Sequence, residues 1–420
     1  MSKIITDKNK IDEILTRGTV DLIVKKSLEE KMASGKKLKI KHGVDPTGPK
    51  IHLGRASTMR KLAKFQELGH QIVLIVGDFT ALIGDASDKD SERPMLGKKQ
   101  VNENMRGYLK QIGKIFNIKK TEIHYNSEWL GKLNYYDICK QANVFSVAQI
   151  LDRENFSKRF KEGTRISLRE TLYPLMQGYD SVAIKSDIEI GGSDQLFNVL
   201  AGRELQRLYG QKPQNILTLK LMDGLDGRKM STSWGNIICI TDNPKEIYGK
   251  IMSMRDEMII QYFELATDIP MTEIKEMIQN LKNEKINPRD VKMKLAKEIV
   301  KIYHGEKNAR EAEEYFKNIH QKHKTPTGIK EIKIKNEWLK LKLKNNKKEL
   351  VKKKEYAINI LDLLVKTKLC SSKNEARRVV EQGGVKFDER IIKDIAKNVL
   401  INQKWKIIQK GKRNFIKIKL

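Results

Sequence analysis

Residues 38–76 carry the pattern that restricts the fold most. Leu38-Lys39-Ile40-Lys41-His42-Gly43-Val44 reads as a strand. Residues 54–68 read as a helix, with Met59, Leu62, Ala63 and Phe65 on its buried side. Gln71-Ile72-Val73-Leu74-Ile75-Val76 is a compact apolar strand, of the kind that a parallel sheet buries. Strand, helix and strand at this spacing form a βαβ unit, right-handed by default. In such sheets ligands sit beyond the carboxyl ends of the strands. The stretch Asp45–Arg55 and the pair Gly84-Asp85 both fall at those ends. The expected fold is therefore α/β, a doubly wound parallel sheet of Rossmann-like type with its site along that edge.

The rest of the chain adds other kinds of segment. Residues 8–34 read as helical, with Gly18 splitting them into two helices. Residues 140–210 read as mainly helical, interrupted by Asp187-Ile188-Glu189-Ile190-Gly191-Gly192-Ser193-Asp194-Gln195, and a loop is expected at 223–236. Amphipathic helices return over 244–325, one of them starting at Asn287-Pro288-Arg289-Asp290. Residues 326–355 are lysine-laden and read as a linker or a solvated hairpin, and a small domain resumes at Tyr356. A chain of 420 residues should hold two to four domains. The expected boundaries are 1–240, 241–325, a basic linker 326–355, and 356–420. No internal repeat is visible.

Charge and cysteines narrow the class. No run of eighteen apolar residues exists, and Met1–Lys8 lacks an apolar signal region, so no membrane contact is expected. Cys139, Cys239 and Cys370 are far apart and odd in number, which reads as reduced thiols in a cytoplasmic setting, with no structural metal. The chain holds 83 Lys and Arg against 53 Asp and Glu. Residues 321–420 alone hold 29 against 10, an excess that suggests a polyanion partner through counterion release. A lysine-rich proteome with solvated surfaces accounts for the same charge, and charge alone does not choose between the two.

Two short stretches carry the chemistry. His52-Leu53-Gly54 lies at the expected helix N-terminus, where free N–H groups and the helix dipole favour anions. Gly54 lets a nucleotide approach the backbone, and Thr47 and His52 can donate to phosphate oxygens. Alone, this tripeptide reads better as an ordinary helix entry with a surface His. Lys229-Met230-Ser231-Thr232-Ser233 follows the glycine-rich Asp223-Gly224-Leu225-Asp226-Gly227. A mobile loop carrying Lys can close over a triphosphate and stabilise charge on a leaving pyrophosphate. Alone, it is equally a basic surface turn. The two stretches in this order, on either side of an alternating strand and helix pattern, describe a site that activates a carboxylate with ATP.

The series of motifs resembles the class I aminoacyl-tRNA synthetases, and within them the bacterial tyrosyl enzymes. Asp45-Pro46-Thr47 followed by His52-Leu53-Gly54 matches the first signature, Leu82-Ile83-Gly84-Asp85 the next, and Lys229–Ser233 the last. Tyr173-Pro174-Leu175-Met176-Gln177-Gly178-Tyr179-Asp180 matches the tyrosine pocket, and Gly191-Gly192-Ser193-Asp194-Gln195 the adenylate ribose loop. The resemblance implies that Thr47, His52 and Lys229 are catalytic. It implies that Asp45, His52, Gly54, Arg55, Gly192, Asp194, Lys229 and Thr232 hold ATP and the adenylate, with Mg2+ entering as part of the ATP complex. Lys41, Asp85, Tyr173, Gln177, Asp180 and Gln195 would hold tyrosine. Asp85, Tyr173 and Gln177 would meet its ammonium group, Gln195 its carboxylate region, and Asp180 its phenol. Tyr173, Gln177 and Asp180 fall at i, i+4 and i+7, one face of a helix, and polar residues on a buried face need partners. Three positions depart from the commonest pattern. Lys41 stands where some relatives have a Tyr beside the phenol, Arg55 where the first signature ends in His, and Thr232 where the last carries a second Lys.

Ser371-Ser372-Lys373-Asn374-Glu375-Ala376-Arg377-Arg378-Val379-Val380-Glu381-Gln382-Gly383-Gly384-Val385 resembles the small α+β S-four-like RNA-binding domain. It implies that Lys373, Arg377, Arg378, Lys412 and Arg413 bind tRNA(Tyr), with 241–325 as a helical anticodon-side domain. The family implies L-tyrosine, ATP and tRNA(Tyr) as partners and a homodimer as the assembly. A synthetase for another amino acid, or another nucleotidyltransferase with the same phosphate cradle, is the alternative within the enzyme class, and an RNA-binding protein with a decayed active site is the alternative outside it.

Overall fold

The computed structural model describes residues 4–85, 92, 95–320, 330–334, 336–338, 340–342, 355–411 and 414–420. The chain divides into two compact units, Met1–Glu313 and Glu314–Leu420.

The first unit is built on a sheet of six strands: β1 (Thr19–Ile23), β2 (Lys39–Val44), β3 (Gln71–Val76), β4 (Glu122–Tyr125), β5 (Ile188–Gly192) and β6 (Asn215–Leu219). Their order is β1-β6-β5-β2-β3-β4. β1 runs antiparallel to β6 and the other neighbours are parallel. The order reverses between β5 and β2, the switch point at which such sheets open a ligand crevice.

Helices cover this sheet. In chain order they are α1 (Lys8–Thr16), α2 (Lys25–Ala33), α3 (Leu53–Glu67), α4 (Thr80–Ile83), α5 (Lys98–Met105), α6 (Tyr108–Ile112), α7 (Ser127–Leu130), α8 (Tyr135–Ala142), α9 (Val147–Leu151), α10 (Glu154–Lys161), α11 (Leu168–Ile184) and α12 (Leu196–Leu208). They are followed by α13 (Pro244–Met252), α14 (Ile259–Ala266), α15 (Met271–Lys282), α16 (Pro288–His304) and α17 (Glu306–His320). α16 starts as its sequence predicts: Asn287 Oδ1 accepts the Arg289 N–H at 2.9 Å and Pro288 takes the first helical position. Burial drives the assembly. Leu53, Ala56, Met59, Leu62 and Phe65 of α3 and Ile72–Val76 of β3 are all buried. Each large apolar side chain among them contributes about 1.5–3 kcal/mol relative to exposure. α11 approaches α12 closely because Gly178 has no side chain; a Cβ there would lie 3.1 Å from the Ala201 carbonyl carbon.

One expected element is different. Residues 8–34 do not form two helices alone: Thr19-Val20-Asp21-Leu22-Ile23 is an edge strand between α1 and α2. Three of its five residues are β-branched, which favours a pleated strand. Gly18 turns the chain into it with φ +65°, and Lys220 N–H closes the junction on the Gly18 carbonyl at 2.9 Å.

The second unit holds two sheets, ordered β11-β10-β13-β14-β7 and β12-β9-β8. Their strands are β7 (Lys330–Lys333), β8 (Lys340–Lys342), β9 (Glu355–Asn359), β10 (Val385–Phe387), β11 (Arg390–Ile392), β12 (Asn398–Ile401), β13 (Lys406–Lys410) and β14 (Asn414–Lys419). Helices α18 (Ile360–Lys366) and α19 (Lys373–Glu381) pack with them around Ile358, Leu363, Leu364, Val380, Val385, Ile408 and Ile418. The lysine-laden stretch expected as a linker contributes to both sheets. β7 pairs in parallel with β14, and β8 pairs antiparallel with β9. Ile332 and Ile334, two apart, both join the core. That is strand periodicity, which the surrounding lysines conceal.

Candidate active site

A cavity of about 860 Å³ opens at the carboxyl ends of β2, β3 and β5. It begins where β2 ends. Asp45 is an interior acceptor: its Oδ1 takes the Thr80 hydroxyl at 2.8 Å and its Oδ2 the Tyr173 hydroxyl at 2.9 Å. Burial pushes its pKa up to about 6, against the pull of those two hydrogen bonds. Gly77, just past β3, makes room for this cluster, since a Cβ there would lie 2.0 Å from Asp45 Oδ1.

The first signature forms the N-terminus of α3. His52 is its N-cap in an extended conformation, and His52 Nδ1 accepts the Arg55 N–H at 3.4 Å. Burial, then the charges of Arg55 and Lys229, push the His52 pKa down to about 3, so the ring is neutral at physiological pH. Arg55 donates to Thr47 Oγ1 and Tyr108 Oη, both at 2.7 Å, and to the Asp45 carbonyl at 3.3 Å. The last signature meets the first here. Gly54 N–H points at Met230 Sδ, 3.3 Å away, and Leu53 N–H donates to the Ile238 carbonyl at 2.8 Å. A Cβ on Gly54 would stand 3.1 Å from His52 Nδ1.

α11 carries the second wall. Tyr173, Gln177 and Asp180 all line the cavity from one face of this helix, at the predicted spacing. Asp180 is 3% exposed. Its Oδ1 accepts Trp129 Nε1–H at 2.8 Å and its Oδ2 accepts Asn126 Nδ2–H at 3.4 Å. Burial pushes its pKa up to about 7, with Lys41, Trp129 and Asn126 pulling the other way. Opposite, Asp85 accepts Gln195 Nε2–H at 2.7 Å and Asn198 Nδ2–H at 3.4 Å. Asn198 also donates to Gln195 Oε1 at 3.0 Å.

The third wall joins the ribose loop to the 223–236 loop. Lys229 Nζ lies 2.8 Å from Asp194 Oδ2. Gly192 allows Asp194 to fold back, since a Cβ on Gly192 would lie 2.5 Å from Asp194 Oδ1. Thr232 lines the cavity and is exposed. Arg228 turns elsewhere: it bonds Asp226 Oδ2 through Nε at 2.8 Å and stacks over Trp234 at 4.4 Å.

Thus Asp45, Thr47, His52, Gly54, Arg55, Asp85, Tyr173, Gln177, Asp180, Gly192, Asp194, Gln195, Lys229 and Thr232 all face one cavity. Lys41 does not. It is fully buried behind the wall, 3.0 Å from Glu189 Oε1 on the adjacent strand β5, and it donates to the Gln177 carbonyl and Ser181 Oγ at 2.7 Å each. Glu189 Oε1 accepts Gln177 Nε2–H at 3.1 Å. Lys41 acts on the cavity through Glu189, which lines it, through Gln177 and, electrostatically, through Asp180.

Sequence reasoning missed Thr80, Asn126, Trp129 and Glu189. Asn126 and Trp129 directly follow β4, so recognising Glu122–Tyr125 as a strand would have pointed to them by the same rule that found Asp45. Glu189 had its own signal, an acid inside an apolar strand, which requires a buried partner. Among the described residues no group of three or more His, Cys, Asp or Glu is arranged to hold a metal ion. Nor is any helix there long and apolar enough to cross a membrane.

In the second unit, Lys373, Arg377 and Arg378 are exposed on or at the start of α19. Lys373 pairs with Asp362 at 2.7 Å. Lys412 and Arg413 lie outside the described residues.

Residues 33–321 match the family model of tRNA synthetases class I (W and Y), and residues 343–418 match that of the tyrosine–tRNA ligase SYY-like C-terminal domain. The chain is 46% identical to the tyrosine–tRNA ligase of Thermotoga maritima, over 97% of this chain and 96% of that one. It is 43% identical to the tyrosine–tRNA ligase of Dehalococcoides mccartyi, over 98% of each chain. Among solved structures, the tyrosyl-tRNA synthetase of Archaeoglobus fulgidus complexed with L-tyrosine has the same fold. Its TM-score is 0.59 at 22% identity, covering 73% of this chain and 99% of that one. With ligases alike along nearly their whole length and a matching model for each end of the sequence, the chain belongs to the tyrosine–tRNA ligase family of class I tRNA synthetases.

Proposed function

We propose that this chain activates L-tyrosine with MgATP and transfers the tyrosyl group to the 3′ end of tRNA(Tyr), the activity of its family. The tyrosine carboxylate attacks the α-phosphate, giving tyrosyl-adenylate and pyrophosphate. The terminal ribose hydroxyl of the tRNA then attacks the adenylate carbonyl, forming the ester as the acyl–phosphate bond breaks and AMP leaves, with the hydroxyl proton passing to the departing phosphate or solvent. The observation that carries this reading is Asp180, a buried carboxylate aimed into the cavity on the same helix face as Tyr173 and Gln177. A phenol hydroxyl gives that carboxylate a further donor beside Trp129 and Asn126, whereas phenylalanine sets an apolar ring edge against it and offers none, which costs part of the desolvation of a buried acceptor.

The assigned roles follow from the chemistry. Asp85, Tyr173 and Gln177 receive the substrate ammonium, and Gln195 the carboxylate region. Asp194 receives the ribose hydroxyls, which frees Lys229 from its present partner to meet the β- and γ-phosphates. His52 is neutral with Nδ1 accepting a backbone N–H, so Nε2 is left to donate to phosphate. Thr47, Arg55 and Thr232 complete the polar lining, and Mg2+ arrives with ATP. Activation requires no protein base, because a carboxylate nucleophile carries no proton to remove. Rate comes from alignment and from charge placed ahead of the reaction.

Residues 1–240 act as the catalytic domain, 241–325 as the anticodon side, and the segment from 356 as an S-four-like tRNA-binding domain, supported by exposed Lys373, Arg377 and Arg378. The active form is a cytoplasmic homodimer. Free thiols at Cys139, Cys239 and Cys370 support the compartment. Exposed Tyr135, Tyr136, Val147, Phe160 and Leu168, all between α8 and α11, support a self-association surface. The deciding experiment is amino-acid-dependent ATP–pyrophosphate exchange run with each amino acid. Tyrosine alone should sustain it, and exchange with another amino acid, or with none, refutes the assignment.

A further inference from the structure

We infer that Asn236 is the positioning residue that aims Lys229 into the cavity. The inference rests on the role proposed above for Lys229 at the departing pyrophosphate. Asn236 does not line the cavity. It is buried behind the loop, with one carboxamide serving three successive peptide groups. Its Nδ2 donates to the Lys229 carbonyl at 3.1 Å and reaches the Arg228 carbonyl at 3.4 Å, while its Oδ1 accepts the Ser231 N–H at 2.9 Å. Nδ2 also donates to Asp226 Oδ1 at 2.7 Å, and the Asn236 carbonyl accepts the Leu225 N–H at 3.0 Å. Both arms of the loop are therefore tied to one residue.

The fit is tight. Gly224 lies against the carboxamide, and a Cβ there would stand 2.4 Å from Asn236 Cγ. On the far side of the clamped peptides, Lys229 reaches Asp194 and Met230 meets the N-terminus of α3 at Gly54. The approach to Lys229 contains Gly224 and Gly227 and has little stiffness of its own. Without the carboxamide, three peptide groups lose a partner and the Lys229 ammonium is no longer placed before charge develops. A loss of that kind lowers kcat for adenylate formation more than it changes tyrosine binding.

The test is pyrophosphate exchange on the full chain. Asn236→Ala should lower kcat by up to about 100-fold, the scale of a misplacement near 1 Å, with the KM for tyrosine within about twofold of the parent. Asn236→Asp should be worse, because it sets a carboxylate against Asp226 and against the Lys229 carbonyl. Adding Asp226→Asn restores a donor across that gap and should recover about tenfold over Asn236→Asp alone. Near-parental kcat in Asn236→Ala, with Lys229→Ala crippled, overturns this inference and leaves the proposed function standing. A silent Lys229→Ala overturns the role given to Lys229 itself. Equal losses of tyrosine affinity and kcat in Asn236→Ala, or no recovery in the double variant, make Asn236 a folding residue and also overturn it.

Discussion

Asp180 shows how a residue's surroundings set its protonation. Burial raises its pKa from 3.8 to about 7, while Lys41, Trp129 and Asn126 pull it down and the Glu189 carboxylate opposes them. Tyr173 also feels the Asp180 charge, though its hydroxyl is committed to Asp45. In the contact proposed with the tyrosine phenol, the ionised carboxylate is the stronger acceptor, so tyrosine binding should weaken in acid. The KM for tyrosine is expected to rise about tenfold between pH 8 and pH 6, with kcat less affected. The stability effect has a definite sign. The folded protein holds this proton more tightly than the unfolded chain, so the contribution of Asp180 is full below about 4 and is lost as pH rises through about 7. Trp129→Phe removes the donor at 2.8 Å and should move the acid limb of the KM profile to higher pH. An unmoved limb would show that Trp129 does not tune the carboxylate.

At the scale of elements, β2 and β5 decide what Lys41 can do. Their register sets Lys41 beside Glu189 on neighbouring strands. The side chains are 0% and 1% exposed and their charged atoms lie 3.0 Å apart. Breaking a buried pair by removing one partner strands the other charge, at a cost of about 3–5 kcal/mol. Lys41→Met should therefore lower unfolding stability by that order in urea titration, and Glu189→Gln in the same chain should recover part of it. A loss below about 1 kcal/mol would mean that water or relaxation compensates Glu189. The same pair explains why a lysine fits behind the wall that α11 forms. It holds the Gln177 carbonyl and, through Glu189, the Gln177 side chain.

At the scale of the molecule, the boundary of the second unit determines how it can be removed. A cut at residue 350 would leave β7 and β8 without β14 and β9, their partners in the two C-terminal sheets. A chain ending at residue 320 removes both sheets whole. It is expected to keep tyrosine-dependent pyrophosphate exchange within a few-fold and to lose most tRNA charging. Its remaining tRNA affinity should fall less steeply with salt, since fewer phosphates are neutralised. Parallel loss of exchange and charging would assign the second unit a part in activation itself.

Much of this was legible in the amino-acid sequence. The helix within residues 38–76 was readable because burial on one side imposes a local period, and the strand at 71–76 because burial on both faces makes its apolar run continuous. The face shared by Tyr173, Gln177 and Asp180 follows from helical geometry alone. The signature stretches were readable as an ordered series that resembles a family, since each alone was at least equally an ordinary turn or helix start. Which long-range neighbours meet was not readable. Lys41 beside Glu189, Trp129 on Asp180, Asn236 under Lys229 and β7 against β14 depend on strand order and register. A local sequence pattern states which side of an element is buried; only the closed sheet, by bringing distant strand ends together, states what each buried polar group finds there as its partner.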